Sequence, residues 1–202
     1  MKSLFLDLGT NLGQGLREFN KRFNLFNNSS WDIYTFEANL HIDIETMFND
    51  VENLTKIKKA VWIEDGKISF TSRGKNTEKM RKEHNEDKFQ GGGSRLTIKQ
   101  GVQKIADHVE IDENEVECFS FSDFIDNKKD SYERIVVKMD IEGAEFEIIE
   151  DMKNKDTLKY IDELFMEPHG RFMFREPKKI KDIENKLFKD CREKIRKVHV
   201  WH

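Results

Sequence analysis

Three short apolar runs, "SLFLDLG" from Ser3, "IVVKMDI" from Ile135 and "DELFME" from Asp162, are each bounded by charged stretches. Short runs of this kind read as buried strands. Segments of helical period follow them: "GLREFNKRFN" puts Leu16, Phe19 and Phe23 on one face, and "AEFEIIEDMKN" brings Phe146, Ile149 and Met152 into phase. Strands alternating with helices build βαβ units, so the expected class is α/β, with a mainly parallel sheet and helices on both faces. Ligands of such sheets bind outside the carboxyl ends of the strands, where the winding reverses. Residues with chemistry should therefore stand just after strands.

The remaining segments fit the same scheme. "WDIYTFEAN" is a second strand, "HIDIETMFNDVEN" a helix, and "KIKKAVWI" a third strand followed by a tight-turn signal at Asp65-Gly66. "EVECFSFSDFI" gives a short strand and a helix start, and "YIDELFMEPHG" another strand. Pro177 opens a long helix with Ile180, Ile183, Leu187, Cys191 and Ile195 on one stripe, and "KVHVWH" is a last strand. Residues 71–94 are charged, aperiodic and end in three glycines, as in a surface loop or a lid over a substrate. Residues 1–202 are expected to form a single domain.

A formal charge of −4 provides no global basic field for nucleic acid or anionic membrane. Cys118 and Cys191 cannot make a disulfide framework and lack metal-type spacing, which fits a reducing compartment. No stretch is apolar enough to span a bilayer, and the expected location is cytoplasmic.

At the strand ends, acids and glycines recur. Asp7 closes the first apolar run, and Gly9, Gly13 and Gly15 line the turn into the first helix, where backbone N–H groups can approach a ligand. Glu37 stands at the end of the second strand, suited to both hydroxyls of a ribose, and Ala60, Val61 and Trp62 end the third, where an adenine ring would lie. In "VVKMDIEGAEFEII", Lys138, Asp140 and Glu142 fall on one face if the strand persists. Burying them is costly unless they pair or serve a ligand. Glu167 and His169 mark one more strand end.

Taken in order, "FLDLGTNLGQ", "TFEAN", "KKAVWIEDGKISF", "VVKMDIEGAEFEII" and "LFMEPHG" resemble the blocks of FkbM-type S-adenosylmethionine-dependent methyltransferases, from about Leu4 to His169. The K-x-D-x-E-G-x-E block is specific to that family, whereas the glycine turn is common to many nucleotide-binding folds. Asn39-Leu40 departs from the family's usual proline, and the loop over 71–94 is long. The resemblance implies a Rossmann-like class I methyltransferase fold that methylates hydroxyls of sugars or glycans, with S-adenosylmethionine as cofactor and S-adenosylhomocysteine as product. It implies that Asp7, Gly9, Asn11 and Gly13 cradle the methionine part, that Glu37 holds the ribose, and that Ala60, Val61 and Trp62 border the adenine. Thr10, Ala38 and Asp140 complete the cofactor's surroundings. Members of the family occur joined to glycosyltransferases.

A sugar hydroxyl needs a base as the bond forms. His169 and Asp140 are the expected bases, with Glu167 orienting the acceptor or the histidine, and Glu142, Glu167 and Arg95 facing the acceptor. A divalent cation on Asp140, Glu142 and Glu167 is a second use of these acids, not the favoured one. Two rivals stand beside this reading. An NAD-dependent oxidoreductase would also use a glycine turn and an acid, but "GTNLGQG" lacks G-x-G-x-x-G spacing. A non-catalytic, methyltransferase-like binding module would have no need of the acids at four strand ends.

Overall fold

The computed structural model describes residues 1–73, 95–96, 111–172 and 174–201. In chain order the strands are β1 (Lys2–Leu8), β2 (Trp31–Phe36), β3 (Leu54–Ile57), β4 (Ala60–Trp62) and β5 (Gly66–Arg73), then β6 (Arg95–Leu96), β7 (Ile111–Ser120), β8 (Tyr132–Met139), β9 (Glu163–Met166) and β10 (Lys197–Val200). The α-helices are α1 (Gln14–Phe23), α2 (Phe121–Lys128), α3 (Glu145–Asn154) and α4 (Pro177–Arg192).

Six strands form the main sheet in the order β10-β9-β8-β1-β2-β3, and every neighbouring pair is parallel. From β1 the chain winds outward through β2 to β3, then returns beside β1 with β8 and winds the other way through β9 to β10. The reversal lies between β1 and β8, where Asp7 is in register with Lys138 and Leu8 with Met139. This is a Rossmann-like α/β fold.

Alternation along the strands explains why both faces are covered. Phe5 of β1 and Val136 of β8 pack with Leu16 and Phe19 of α1, in a cluster that includes Trp31 and Phe165. Leu4, Leu6 and Leu8, with Ile135, Val137 and Met139, point the other way, into a second cluster with α2, α3 and α4. β1 and β8 are thus buried on both sides, as a central parallel strand requires. Pro177 occupies the first turn of α4, where its missing N–H costs nothing.

Three expectations are corrected. The helix expected over "HIDIETMFNDVEN" is absent; residues 41–50 form successive turns. Side-chain bonds win there: Asp43 accepts from the Thr46 hydroxyl at 2.8 Å and Asn39 from the His41 N–H at 2.9 Å, offering the backbone an alternative to the helix. "KIKKAVWI" is not one strand. It breaks at Lys58 and Lys59, with β3 in the main sheet and β4 in a second sheet ordered β4-β7-β5-β6. The Asp65-Gly66 turn consequently joins strands that do not pair with each other, since β7 lies between them. This second sheet, unforeseen, packs Ala60, Val61, Phe70 and Val116 into the larger core cluster. Of the expected loop or lid, residues 71–73 belong to β5, and 74–94 lie outside the described residues.

Candidate active site

The carboxyl ends of β1, β2 and β8 meet the start of β4 around one cleft. Gly9 and Asn11 line it from the β1–α1 turn, Glu37 and Ala38 from the end of β2, and Ala60 and Val61 from β4. Asp140 and Glu142 line it from the turn after β8. Phe36, Lys59, Phe70, Ile141 and Ala144 complete the wall, and sequence pattern gave none of these a role.

The glycine turn is fixed by close backbone contact. Gly9 has φ +76°, and a Cβ there would lie 1.9 Å from the carbonyl oxygen of Asp140. Its N–H and that of Thr10 both donate to the carbonyl of Phe36, at 3.0 and 3.1 Å. Gly13 is the N-cap of α1 with φ 76°, and its Cβ position is filled by the Phe48 ring. The helix therefore begins without a capping side chain or an acid in its first turn.

Glu37 ties this turn to the next loop. Its Oε2 accepts from the Asn11 N–H and its Oε1 from the Asn39 N–H, each at 2.7 Å. Burial raises its pKa from the usual carboxylate value, against those two bonds and the charges of Lys138 and Lys58. Asp7, expected at the cofactor, is fully buried behind the cleft, where its Oδ1 lies 3.2 Å from Lys138 Nζ. Thr10 is buried too, donating to the Asp7 carbonyl, and Trp62 belongs to the core. None of Asp7, Thr10, Gly13 or Trp62 lines the cleft.

The expected alignment of Lys138, Asp140 and Glu142 on one strand face is corrected. β8 ends at Met139, and Glu142 and Gly143 turn the chain into α3 with φ 54° and 112°. Lys138 donates to the Gly9 carbonyl at 2.7 Å and lies 3.4 Å from Asp140 Oδ2. Burial would lower the Lys138 pKa, but the charges of Asp7 and Asp140 outweigh it and hold the ammonium above its usual value. Lys138 thus joins the ends of β1 and β8 across the reversal point.

His169 sits at the centre of a cluster of acids. Its Nε2 lies 3.5 Å from Glu142 Oε2, 3.6 Å from Glu167 Oε1 and 3.8 Å from Asp140 Oδ1. Its Nδ1 is 2.5 Å from Oε1 of Glu145, and both side chains are buried. Burial would push His169 down, but the bond and charge of Glu145, with Glu142, hold it above the ordinary histidine value. Burial pushes Glu145 up against the pull of His169. Glu167 also lies 3.6 Å from Arg171.

Glu145 is the functional candidate that sequence reasoning missed. Its signal was present: it precedes Ile148, Ile149 and Met152 at the spacing of the buried face of α3, an unusual position for an acid. Arg95 has its backbone in β6, paired with Thr71, and its side chain lies outside the described residues.

The residues of the cleft fit an aminoacyl nucleoside such as S-adenosylmethionine. Asn11 Oδ1, in the cleft-lining turn, is a buried acceptor without a hydrogen-bond partner among the described residues. It suits an ammonium donor, while Glu37 suits a ribose and the apolar wall of Ala60, Val61 and Phe70 suits a base ring. No curated protein and no solved structure matches the chain. The methyltransferase FkbM domain matches residues 7–195, which include every residue of the cleft and of the histidine cluster. With that match spanning nearly the whole chain, and with the sheet reversal and the cleft where such an enzyme needs them, this protein belongs to the FkbM methyltransferase family.

Proposed function

We propose that the protein is an S-adenosylmethionine-dependent O-methyltransferase acting on a hydroxyl of a sugar or glycan. The observation that carries this reading is the single cleft shared by the glycine turn, Glu37 and Asp140, with the histidine cluster adjoining it through Asp140 and Glu142. The cofactor would be held by Gly9 and Asn11 at its methionine end, by Glu37 at the ribose, and by Ala60 and Val61 at the adenine. Each Glu37 oxygen has a second lone pair for a hydroxyl donor. When bound, S-adenosylmethionine supplies a methyl group already activated by its positive sulfur.

What remains for the chain is alignment and deprotonation. Holding an acceptor oxygen in line with the methyl group supplies about 7–11 kcal/mol. The acceptor's proton passes into the cluster of Asp140, Glu167 and His169, with Glu142 contacting the acceptor. Lys138 anchors Asp140, and Glu145 anchors His169. The rivals fare less well: the turn has no dinucleotide spacing, and a binding module would have no use for a buried acid holding a histidine among carboxylates. Among the described residues no helix is long and apolar enough to cross a membrane. Two buried free cysteines fit a reducing location such as the cytoplasm, beside or fused to the glycosyltransferases that make the acceptor.

The test is incubation with methyl-labelled S-adenosylmethionine and a panel of nucleotide sugars and short oligosaccharides, read by mass spectrometry. Label on a sugar oxygen is the expected result. Binding of S-adenosylhomocysteine without transfer to any acceptor would favour the non-catalytic module, and binding of NADH in its place would favour the oxidoreductase.

A further inference from the structure

The cluster around His169 contains more acid than proton removal requires. Asp140, Glu142, Glu145 and Glu167 all approach one imidazole, with Lys138 and Arg171 as the cations paired to its edges. One oxygen of Asp140, one of Glu142 and one nitrogen of His169 lie within 4.8 Å of one another. Ligand atoms around a small divalent ion at about 2.0–2.2 Å stand about 3–4 Å apart, as Nε2 does from Glu142 and from Asp140, at 3.5 and 3.8 Å.

A second, independent feature aims the histidine. Glu145 holds Nδ1, so Nε2 is the atom presented to the carboxylates, and the ring is buried at 1% exposure. A carboxylate behind a histidine, fixing its tautomer and orientation, is the usual outer support of a metal-bound imidazole. Lys138 does the same for Asp140, engaging Oδ2 while Oδ1 faces His169.

We propose that Asp140, Glu142 and His169 bind a divalent cation of the manganese class, with open positions for the acceptor's hydroxyl. Two carboxylates and one imidazole are a mixed set, softer than the all-oxygen shell that magnesium or calcium prefers. The ion acidifies the hydroxyl. The hydroxyl proton passes to Glu167, the carboxylate outside the three donors, as the new O–C bond forms and the methyl–sulfur bond breaks to leave a neutral thioether. The catalytic role of the ion rests on the methyl-transfer reading above, but its binding does not.

The experiment titrates the full, chelator-treated chain with Mn²⁺, following the free ion by electron paramagnetic resonance. One bound ion per chain is expected, weakened by about 10–100-fold in Glu145→Gln, which leaves all three ligands in place. Glu142→Gln, on a partly exposed side chain, should weaken it at least as much, and circular dichroism checks the fold of both variants. No saturable Mn²⁺ binding, or equal binding by Glu142→Gln and the unaltered chain, overturns the site. S-adenosylhomocysteine binding on the same samples separates the two readings. Nucleoside binding without Mn²⁺ binding sinks the ion and spares the methyltransferase, whereas Mn²⁺ binding without nucleoside binding spares the ion and sinks the cofactor assignment.

Discussion

Nδ1 of His169 lies 2.5 Å from Oε1 of Glu145, joining the first turn of α3 to the loop after β9 across the carboxyl edge of the sheet. Neither side chain lines the cleft, so Glu145 acts through His169. Glu145→Gln keeps an oxygen for Nδ1–H but removes the charge. Turnover should fall by about 10–100-fold, as when the outer partner of a functional histidine is lost. The affinity for S-adenosylhomocysteine should change by less than about threefold, because Glu37 and the glycine turn are untouched. A variant that loses nucleoside affinity as steeply as turnover would make Glu145 a general structural support.

Glu37 has two duties that one substitution separates. Its oxygens accept from the Asn11 and Asn39 N–H groups, and the same carboxylate faces the cleft. Hydrogen bonds to a charged group are worth about 1.5–3 kcal/mol each, so Glu37→Ala should weaken S-adenosylhomocysteine by about 10- to 100-fold. The stranded N–H groups should also lower the melting temperature, by about 2–4 °C for each kcal/mol lost. Calorimetry and a thermal melt read the two effects. A lower melting temperature with an unchanged dissociation constant would assign Glu37 to the scaffold alone.

Gly9→Ala tests whether the reversal point is as tight as its contacts imply. The left-handed φ costs an L-residue about 1–2 kcal/mol, and overpacking against the Asp140 carbonyl adds about 1–3 kcal/mol. The variant should melt roughly 5–15 °C lower and bind S-adenosylhomocysteine poorly, since the displaced groups line the cleft. Gly66→Ala is the control. Gly66 has a similarly forbidding φ of +149°, but its Cβ would meet nothing within 4 Å, so stability should fall while nucleoside binding holds.

Period and position made much of this legible in the sequence. β1 and β8 could be read because strands buried on both faces are continuous apolar runs, and α1, α3 and α4 because each repeats on one face. Glu37, Asp140 and Glu142 could be read because a parallel sheet gathers the residues just past its strands onto one edge. The second sheet could not, because its pairing of Ala60 with Cys118 and of Gly66 with Cys118 joins segments more than fifty residues apart. Nor could spacing show that Asn39 and Asp43 would cap turns in place of a helix, or that Glu145 would meet a histidine in another loop. Lys138 and Asp140 do meet, though through a turn and not through the extended strand that alternation suggested.

Glu163 offers a test of stability at the opposite edge of the sheet from the cleft, since it begins β9 and Glu167 lies past that strand's other end. It is buried at 3% exposure, with Arg134 Nη2 2.5 Å from one oxygen and His199 Nε2 3.0 Å from the other. Burial pushes its pKa up, but the bonds from Arg134 and His199 and the charge of Lys197 outweigh it, and the net direction is down. A carboxylate with a lowered folded value stabilises the protein above its unfolded value, about 4.3, and loses that contribution as pH falls through the folded value. Glu163→Gln should therefore melt below the unaltered protein at pH 7, by the equivalent of about 1–3 kcal/mol. The gap should close progressively as the pH drops below about 4.3, where the unfolded carboxylate takes a proton before the native one does. Turnover per folded molecule should be unchanged at pH 7, because no atom of the cleft is touched. A gap that stays constant between pH 7 and pH 3 would mean that the substitution acts through packing and not through the charge of Glu163.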